Sequence, residues 1–191
     1  MQKEFMGTVC PAQGYIHIKG LGGNANPPLE AKYQNFLDID EALEYANKLC
    51  AIGYDTYFST ASLRNADDKK ELKNFCASRI VQFDIDVQEE PVNKSKYASF
   101  DEARVSLFKF LKDTGLPKPT IVLSGYGLHC YYAFDRDISY NEKSDMSKAF
   151  VKFAREHDLK VDPGSTHDIT KLLRIPGTKN YKFGQSRDVR S

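Results

Sequence analysis

The sequence predicts an α+β (mixed α/β) fold in a single domain, from three observations. Strand-like and helix-like segments are interspersed along the chain without an internal repeat. At least one pair of strands is joined by a glycine-rich turn, which is typical of an antiparallel hairpin. The length of 191 residues, of which 41% are hydrophobic, is enough for one substantial core. We therefore expect one domain, in which an N-terminal α/β part (about 1–75) merges with a second part (about 76–185).

The composition excludes several classes of protein. No apolar run is long enough to cross a bilayer, and the first residues lack the layout of a signal peptide, so we expect a cytoplasmic protein without a membrane partner. The four cysteines form no C-x-x-C pair, which indicates neither a structural zinc site nor a disulfide framework. A formal net charge of +1 excludes a strongly basic surface overall, so partners have to be inferred from local sites.

The first part of the chain is predicted to contain two strands and a helix. Alternating residues at 15–19 indicate a short strand. The glycines at 20–28 predict a loop. This loop is not expected to bind phosphate, because it lacks the lysine and the hydroxyl residue of a P-loop. Asp38 or Asp40 can cap the packing helix that follows, and residues 55–63 then read as a strand.

An apolar run at residues 79–87 carries Asp84 and Asp86, which are separated by one isoleucine. Successive side chains of a strand point to opposite faces, so both carboxylates share one face while the apolar neighbours enter a core. Their separation, two residues at ~3.3 Å each, lets them hold one divalent cation or a pair of them. Oxygen ligands suit Mg²⁺ or Mn²⁺. The alternative is a strand that leaves the core with both acids solvated.

The middle of the chain predicts a helix followed by a hairpin. Ser99 and Glu102 have the spacing of a capping box and mark the start of the helix. Two apolar strands, at 119–123 and 128–134, flank the turn Ser124-Gly125-Tyr126-Gly127. The last part predicts a helix from about residue 141 to 157, because apolar residues there recur at helical spacing.

The hairpin turn and the strand after it offer candidate phosphate contacts. Gly125 and Gly127 let the backbone approach a ligand closely, and Ser124 adds N–H and hydroxyl donors of the kind that hold phosphate oxygens. His129 begins the returning strand, where it can donate to a triphosphate. The alternative is a strand histidine that bonds to a neighbouring carbonyl.

Near the end of the chain, an acid and a base complete the candidate set. Asp162 ends a short predicted strand at 159–162 and is a candidate third metal ligand, although Asp-Pro-Gly is also a common turn sequence. Asp168 competes for the same role. Arg174 lies in an apolar strand, where an unpaired charge would be costly, so it should meet a carboxylate or a phosphate.

Together these residues resemble the archaeo-eukaryotic primase superfamily, especially the primase-polymerases of phages, plasmids and related mobile elements. The resemblance covers residues 79–182. The family's hydrophobic-Asp-hydrophobic-Asp strand matches Phe83-Asp84-Ile85-Asp86, and its serine/glycine turn leading to a histidine matches residues 124–129. Its third motif, an acid shortly before a basic residue and a proline turn, is similar to Val161-Asp162 with residues 173–178.

The resemblance implies a catalytic core with a central, mostly antiparallel sheet flanked by helices, half of it similar to an RNA-recognition fold. It implies that Asp84, Asp86 and Asp162 bind two divalent ions, Mg²⁺ or Mn²⁺, for attack of a 3′-hydroxyl on an α-phosphate. The residues implied to contact the nucleotide are Ser124, Gly125, Gly127, His129 and Arg174. Lys171 and Lys182 are further candidates for the site, and Asp168 remains the competitor of Asp162 as the third metal ligand.

The implied partners are a single-stranded DNA template or primer-template, dNTP or NTP, and a helicase domain or protein. On this resemblance the chain is a DNA primase, a DNA polymerase or both, either stand-alone or a piece of a longer replication protein. Two alternatives remain open. One is a non-catalytic single-stranded nucleic-acid-binding module in which Tyr131, Tyr132 and Phe134 stack bases; the other is a metal-dependent nuclease or phosphohydrolase.

Overall fold

The computed structural model describes residues 1–22, 29–88, 95–182 and 185–191, which form five α-helices and nine strands. The helices are α1 (Gln2–Val9), α2 (Ile39–Ala51), α3 (Phe100–Thr114), α4 (Tyr140–Glu156) and α5 (Pro163–His167). The strands are β1 (Ile16–Gly22), β2 (Leu29–Phe36), β3 (Asp55–Ser59), β4 (Ser78–Asp86), β5 (Thr120–Leu123), β6 (Gly127–Ile138), β7 (Leu172–Arg174), β8 (Lys179–Asn180) and β9 (Arg187–Asp188). Across these ranges no helix is long and apolar enough to span a membrane.

The strands form two larger antiparallel sheets and one small one. The four-stranded sheet has the order β2-β1-β3-β7, the three-stranded sheet has the order β4-β6-β5, and β8 pairs with β9. This confirms the α+β class with antiparallel sheets flanked by helices. The strands are divided between two sheets rather than gathered in one, because β3 pairs with β1 and β7 and leaves β4 to pair with β6.

The three-stranded sheet is buried on both faces, and the alternation of β4 decides which side chain lies where. Phe83, Ile85 and Val87 pack in a hydrophobic cluster with residues of α3 and α4, as the alternation predicts. Ile80 belongs to a second cluster that includes Phe58 of β3 and residues of β1 and β7. The even-numbered side chains of β4 therefore face the four-stranded sheet, and the predicted acids lie on this inner face.

A buried lysine links the end of β3 to the beginning of β4. The Lys143 Nζ of α4 is fully buried and donates to the Thr60 carbonyl oxygen at 2.8 Å, the Thr60 hydroxyl at 3.0 Å and the Ser78 hydroxyl at 3.0 Å. Burial lowers the pKa of Lys143 well below its ordinary value, an effect that the charge of Asp168 partly opposes. The lysine thus joins the two sheets through neutral oxygen acceptors.

Local start signals are largely confirmed. Asp38 caps α2 by accepting from the N–H of Asp40 at 2.8 Å and of Glu41 at 3.0 Å. The Ser99 hydroxyl caps α3 by accepting from the Glu102 N–H at 3.1 Å. The capping box is only half formed, since the Glu102 carboxylate accepts from the N–H of Ala98.

Three predicted boundaries are wrong. Residues 159–162 form no strand, because Asp162 instead caps α5 with the following proline in the first turn. The strand predicted at 55–63 ends at Ser59, after which β3 gives way to a bend. Gly20, Leu21 and Gly22 continue β1 rather than forming a loop; the rest of that predicted loop, 23–28, lies outside the described residues.

Candidate active site

Strand β4 presents Asp84 and Asp86 on the face that looks toward the four-stranded sheet. In the register with β6, Asp84 lies opposite His129 and Asp86 lies opposite Gly127. The Asp84 side chain is 15% exposed and the Asp86 side chain 36%. Asp84 therefore lies inside the interface between the sheets, and Asp86 lies nearer to solvent. A Cβ at Gly127 would lie 2.6 Å from the carbonyl oxygen of Ile85, which explains a glycine opposite Asp86.

Asp162 is brought to Asp84 by a backbone hydrogen bond. The Asp162 N–H donates to the Asp84 carbonyl oxygen at 2.8 Å. The Asp162 side chain accepts from the Gly164 N–H at 3.0 Å as the N-cap of α5. Two segments that are far apart in the sequence thus place a third acid beside the first two.

The environment of Asp84 is strongly unfavourable for a bare carboxylate. Burial, together with the negative charges of Asp86 and Asp162, raises the pKa of Asp84 to about 7, although Lys171 and Lys96 act in the opposite direction. Among the described residues, no donor lies within hydrogen-bond distance of the Asp84 carboxylate; the nearest basic atom is the His129 Nε2, 4.0 Å from its Oδ1. Such a group is stabilised by added positive charge.

The carboxylates fit a hard divalent cation in their chemistry, but the side chains of Asp86 and Asp162 are engaged elsewhere. The Asp86 Oδ2 lies 2.9 Å from the Lys96 Nζ, and Asp162 caps α5. Within residues 1–22, 29–88, 95–182 and 185–191, no three His, Cys, Asp or Glu side chains form a ready-made cation site. Oxygen donors alone suit Mg²⁺ and Mn²⁺, and the side chains of Asp86 and Asp162 would have to turn toward Asp84 to share an ion.

His129 is a buried, neutral imidazole beside the acids. Burial first, and then the positive charges of Arg174 and Lys171, lower its pKa to about 3. The approach of its Nε2 to Asp84 is therefore not an ion pair. The His129 Nδ1 is buried and has no hydrogen-bond partner among the described residues. A neutral imidazole with an unsatisfied nitrogen can donate or accept one further bond.

The glycine turn after β5 is closed by its own serine. The Ser124 N–H and hydroxyl both donate to the Gly127 carbonyl oxygen, at 2.9 and 3.1 Å. Gly125 has a φ of +95° and its carbonyl accepts from the Arg187 guanidinium at 3.0 Å. The Asn180 amide donates to the Ser124 carbonyl at 2.6 Å. Both Ser124 donors are therefore used within the turn and do not point toward a space that a phosphate could occupy.

Arg174 meets a carboxylate, one of the two partners predicted for it. Its guanidinium is buried, donates to the Asp55 Oδ1 at 2.7 Å and lies over the Tyr57 ring, 4.7 Å from the centroid. The same Asp55 oxygen accepts from the Tyr181 N–H at 2.8 Å. Arg174 thus carries a positive charge into the sheet interface near His129.

The remaining candidates occupy different positions. Lys171 is half-buried, and its charge acts on both Asp84 and His129. Asp168 is held in its own turn, where its carboxylate accepts from the Thr170 N–H at 3.0 Å. Lys182 is exposed, and its carbonyl accepts from the Tyr126 hydroxyl at 3.0 Å.

Three residues at the site were not predicted from the sequence. Asp55 and Lys96 are ordinary charged residues, one at a strand start and one in a polar stretch. Gln82 shares the inner face of β4 with Asp84, and its amide donates to the Asp168 carbonyl at 3.1 Å and to the Ser165 carbonyl at 3.4 Å. Alternation places Gln82 beside the acids, and this was the one usable clue.

The aromatic residues of the hairpin are arranged for packing. Tyr131 is 1% exposed, and its ring meets Phe5 edge-on at a centroid distance of 5.4 Å. Tyr132 is half-buried against Phe83 and Phe150, at centroid distances of 5.9 and 6.2 Å. The buried ring of Tyr131 is not available for stacking on bases, which removes part of the basis for a binding platform.

No family model matches the chain, and no curated protein sequence matches it. The solved structures that share its fold include three catalytic or polymerase domains. The AEP domain of the cyanophage S-2L primase-polymerase has a TM-score of 0.61 and 10% identity, covering 93% of this chain and 81% of that one. The catalytic domain of primase RepB', in complex with initiator DNA, has a TM-score of 0.54 and 16% identity, covering 98% and 82%. The polymerase domain of Mycobacterium tuberculosis ligase D, in complex with DNA, has a TM-score of 0.56 and 14% identity, covering 100% and 78%.

These similarities extend over nearly the whole described chain at low sequence identity, and they therefore concern the fold. The strand that carries Asp84 and Asp86 is one element of that fold, and the similarities say nothing about the roles of the two acids. The chain thus has the fold of primase and primase-polymerase catalytic domains, the family that the motifs of its sequence resemble.

Proposed function

We propose that the chain is a template-directed nucleotidyltransferase, a DNA primase, a DNA polymerase or both, that works with two divalent ions. The proposed ligands are Asp84, Asp86 and Asp162, and the proposed substrates are dNTP or NTP with a single-stranded DNA template or primer-template. The fold neighbours named as primases, polymerases and DNA complexes support this class of reaction.

The observation that carries the proposal is the backbone bond from the Asp162 N–H to the Asp84 carbonyl oxygen. It brings the acid of the third sequence motif to the strand of the first, and Asp162 is among the charges that raise the pKa of Asp84. Asp168 is not among them. The carboxylates of Asp162 and Asp168 each accept a backbone N–H, so it is the bond to Asp84 and the effect on its pKa that favour Asp162 as the third ligand.

The neighbouring residues suit the phosphates of an incoming nucleotide. His129 is a neutral imidazole and so has one N–H to donate, and its Nε2 is the nitrogen that lies toward the acids, where we expect it to meet a phosphate oxygen. Lys171 adds a positive charge close to both His129 and Asp84. Arg174 lies near His129, but its charge is balanced by Asp55, so a direct contact with a phosphate would require the guanidinium to leave that carboxylate.

The reaction joins the primer 3′-oxygen to the α-phosphorus and breaks the bond to the pyrophosphate. Divalent ions held by the three acids would activate the hydroxyl and neutralise the leaving group. The acids supply fixed negative charge for this purpose, and the buried walls around Asp84 limit the access of water. No protein nucleophile is needed in this scheme.

A primer-template assay tests the proposal, with dNTPs and NTPs in parallel, Mn²⁺ or Mg²⁺ present, and the primer omitted from half of the reactions. We expect metal-dependent extension or de novo products, which the Asp84→Ala/Asp86→Ala double variant should lose. Asp113→Ala is the matched control, because Asp113 is an exposed acid on α3 paired with Lys109. Circular dichroism establishes that each variant is folded.

The products separate this proposal from its alternatives. Synthesis that persists in the folded double variant would refute the role of the two acids. Shortened labelled DNA without any added nucleotide would indicate the nuclease alternative, and DNA binding that is unchanged by EDTA without synthesis would indicate the binding module.

Several finer expectations stay predictions. They include replication of a phage, plasmid or other mobile element, a helicase partner, a cytoplasmic location, membership of a longer protein, and the merging of two parts near residue 75 within one domain. Purification of the native protein with its partners would test the setting, and limited proteolysis would test the division of the chain.

A further inference from the structure

Lys96 makes a direct ion pair with one of the acids proposed as metal ligands. Its Nζ lies 2.9 Å from the Asp86 Oδ2, and the two side chains are 34% and 36% exposed. The charge of Lys96 also reaches Asp84. A lysine ammonium and a divalent cation are both attracted to a carboxylate oxygen, so the two would compete for Asp86.

The backbone around Lys96 is fixed, which keeps the ammonium within reach of the acids. The Tyr97 N–H donates to the Asp86 carbonyl oxygen at 3.0 Å, and the Gln88 N–H donates to the Tyr97 carbonyl oxygen at 2.9 Å. The Lys160 Nζ donates to the Lys96 carbonyl oxygen at 3.2 Å, and the Tyr97 ring is 3% exposed. The main chain is therefore anchored, and the partly exposed Lys96 side chain can leave Asp86 by rotation about its own flexible stem.

In the ion-free protein, Lys96 reduces the electrostatic repulsion among the three acids. Asp84, Asp86 and Asp162 bring three carboxylates together, and their mutual repulsion is opposed by Lys96 and Lys171. A divalent ion that binds the same acids neutralises their charge and so weakens the attraction between Lys96 and Asp86. The nucleotide phosphates that arrive with the ion are anions of the kind that an ammonium binds.

We propose that Lys96 is a displaceable counter-cation: it holds Asp86 in the ion-free protein, leaves it when a divalent ion enters, and then binds the phosphates of the nucleotide. This rests on the proposed function, because it assumes that Asp86 is a metal ligand. The proposal makes two predictions of opposite sign for one variant. Loss of Lys96 strengthens the binding of the cation and weakens the binding of the nucleotide.

The test measures Mn²⁺ binding directly, from the electron paramagnetic resonance signal of free Mn²⁺, in the full chain without nucleotide. We expect Lys96→Met to lower the Kd for Mn²⁺ by about two- to fivefold, as expected for the loss of a competing, partly exposed ion pair. We expect Lys96→Arg to remain close to the wild type. With Mn²⁺ saturating, the Kd for a non-hydrolysable dNTP analogue should rise in Lys96→Met by about the same factor.

Arg155→Met is the matched control for a general change in electrostatic field. Arg155 is exposed and carries the same charge in a surface cavity whose lining includes Ser95 and Val161, the residues that precede Lys96 and Asp162. If Arg155→Met changes both affinities as much as Lys96→Met does, long-range charge explains the result and the displacement is refuted. An unchanged or weaker Mn²⁺ affinity in Lys96→Met also refutes it.

The same titration separates failure of this inference from failure of the proposed function. If the wild type and the Asp84→Ala/Asp86→Ala variant bind Mn²⁺ equally, the acids are not the metal site, and both proposals fall. If the wild type binds more tightly than that variant while Lys96→Met matches the wild type, the metal site stands and the role of Lys96 is refuted. Thermal unfolding confirms that each variant is folded.

Discussion

Replacing Asp84 by asparagine is expected to stabilise the ion-free protein and to remove the metal-dependent synthesis proposed above. Burial is the largest cause of the raised pKa of Asp84, followed by the charge of Asp86, and the result is a pKa of about 7. Because this value exceeds that of the unfolded chain, the stability due to protonated Asp84 is fully present below the unfolded pKa and is lost as the pH rises through about 7. Above that pH the folded state carries a buried anion.

The magnitude follows from the difference between the ordinary value of 3.8 and about 7. At about 1.4 kcal/mol for each pH unit, this sets an upper value of about 4 kcal/mol for the cost of ionised Asp84 in the folded state. We expect Asp84→Asn to recover about 2 to 4 kcal/mol at pH 8, since an amide of the same shape needs no charge compensation. Near pH 4 the difference should be below about 1 kcal/mol.

The assay is urea unfolding in EDTA at several values of pH between about 4 and 8, followed by circular dichroism. Asp145→Asn is the control, because Asp145 is exposed on α4 and its loss removes the same formal charge. Saturating Mn²⁺ should then stabilise the wild type more than Asp84→Asn, since only binding to the folded state adds stability. An Asp84→Asn variant that is no more stable than the wild type at pH 8 would refute the reasoning.

Three further predictions concern the surroundings of the acids. Asp55→Ala should lower the free energy of unfolding by about 3 to 5 kcal/mol, because it leaves the buried Arg174 guanidinium without its carboxylate; urea unfolding measures this, and a loss below about 1 kcal/mol would contradict it. In the wild type, the lowered pKa of buried Lys143 means that the unfolded chain binds more protons, so stability should rise with pH toward about 10; Lys143→Met should lack this rise in thermal unfolding between pH 7 and 10. Gly125→Ala should cost about 1 to 3 kcal/mol, because φ is +95° and the new Cβ would lie 3.0 Å from the Asn180 amide nitrogen; an unchanged melting temperature would contradict it.

The parts of the fold that follow local rules were predictable from the sequence. Alternation along β4 separated Asp84 and Asp86 from the core residues between them, and the structure confirms this division. The glycine turn predicted the β5-β6 hairpin, and the aspartate at 38 predicted the start of α2. Each of these depends on residues that are near neighbours in the chain.

The features that were missed depend on contacts between distant segments. The pairing of β3 with β7, which divides the strands into two sheets, leaves no periodic signal in either segment. Asp162 was predicted to end a strand, but the proline that follows it suits the first turn of a helix equally well. The partners Asp55 and Lys96 are recognised only by the groups they meet in the fold.

The backbone bond between Asp162 and Asp84 also bears on the order in which the protein matures. Synthesis delivers the strand with the first two acids well before the segment with the third, and the contact between them closes a long loop. Until that loop closes, the emerging chain carries a lone pair of acids and not the complete charge cluster. The cluster of acids proposed to bind the ion is therefore complete only after this contact has formed, so on the proposed function Mn²⁺ uptake would report the closure of that loop.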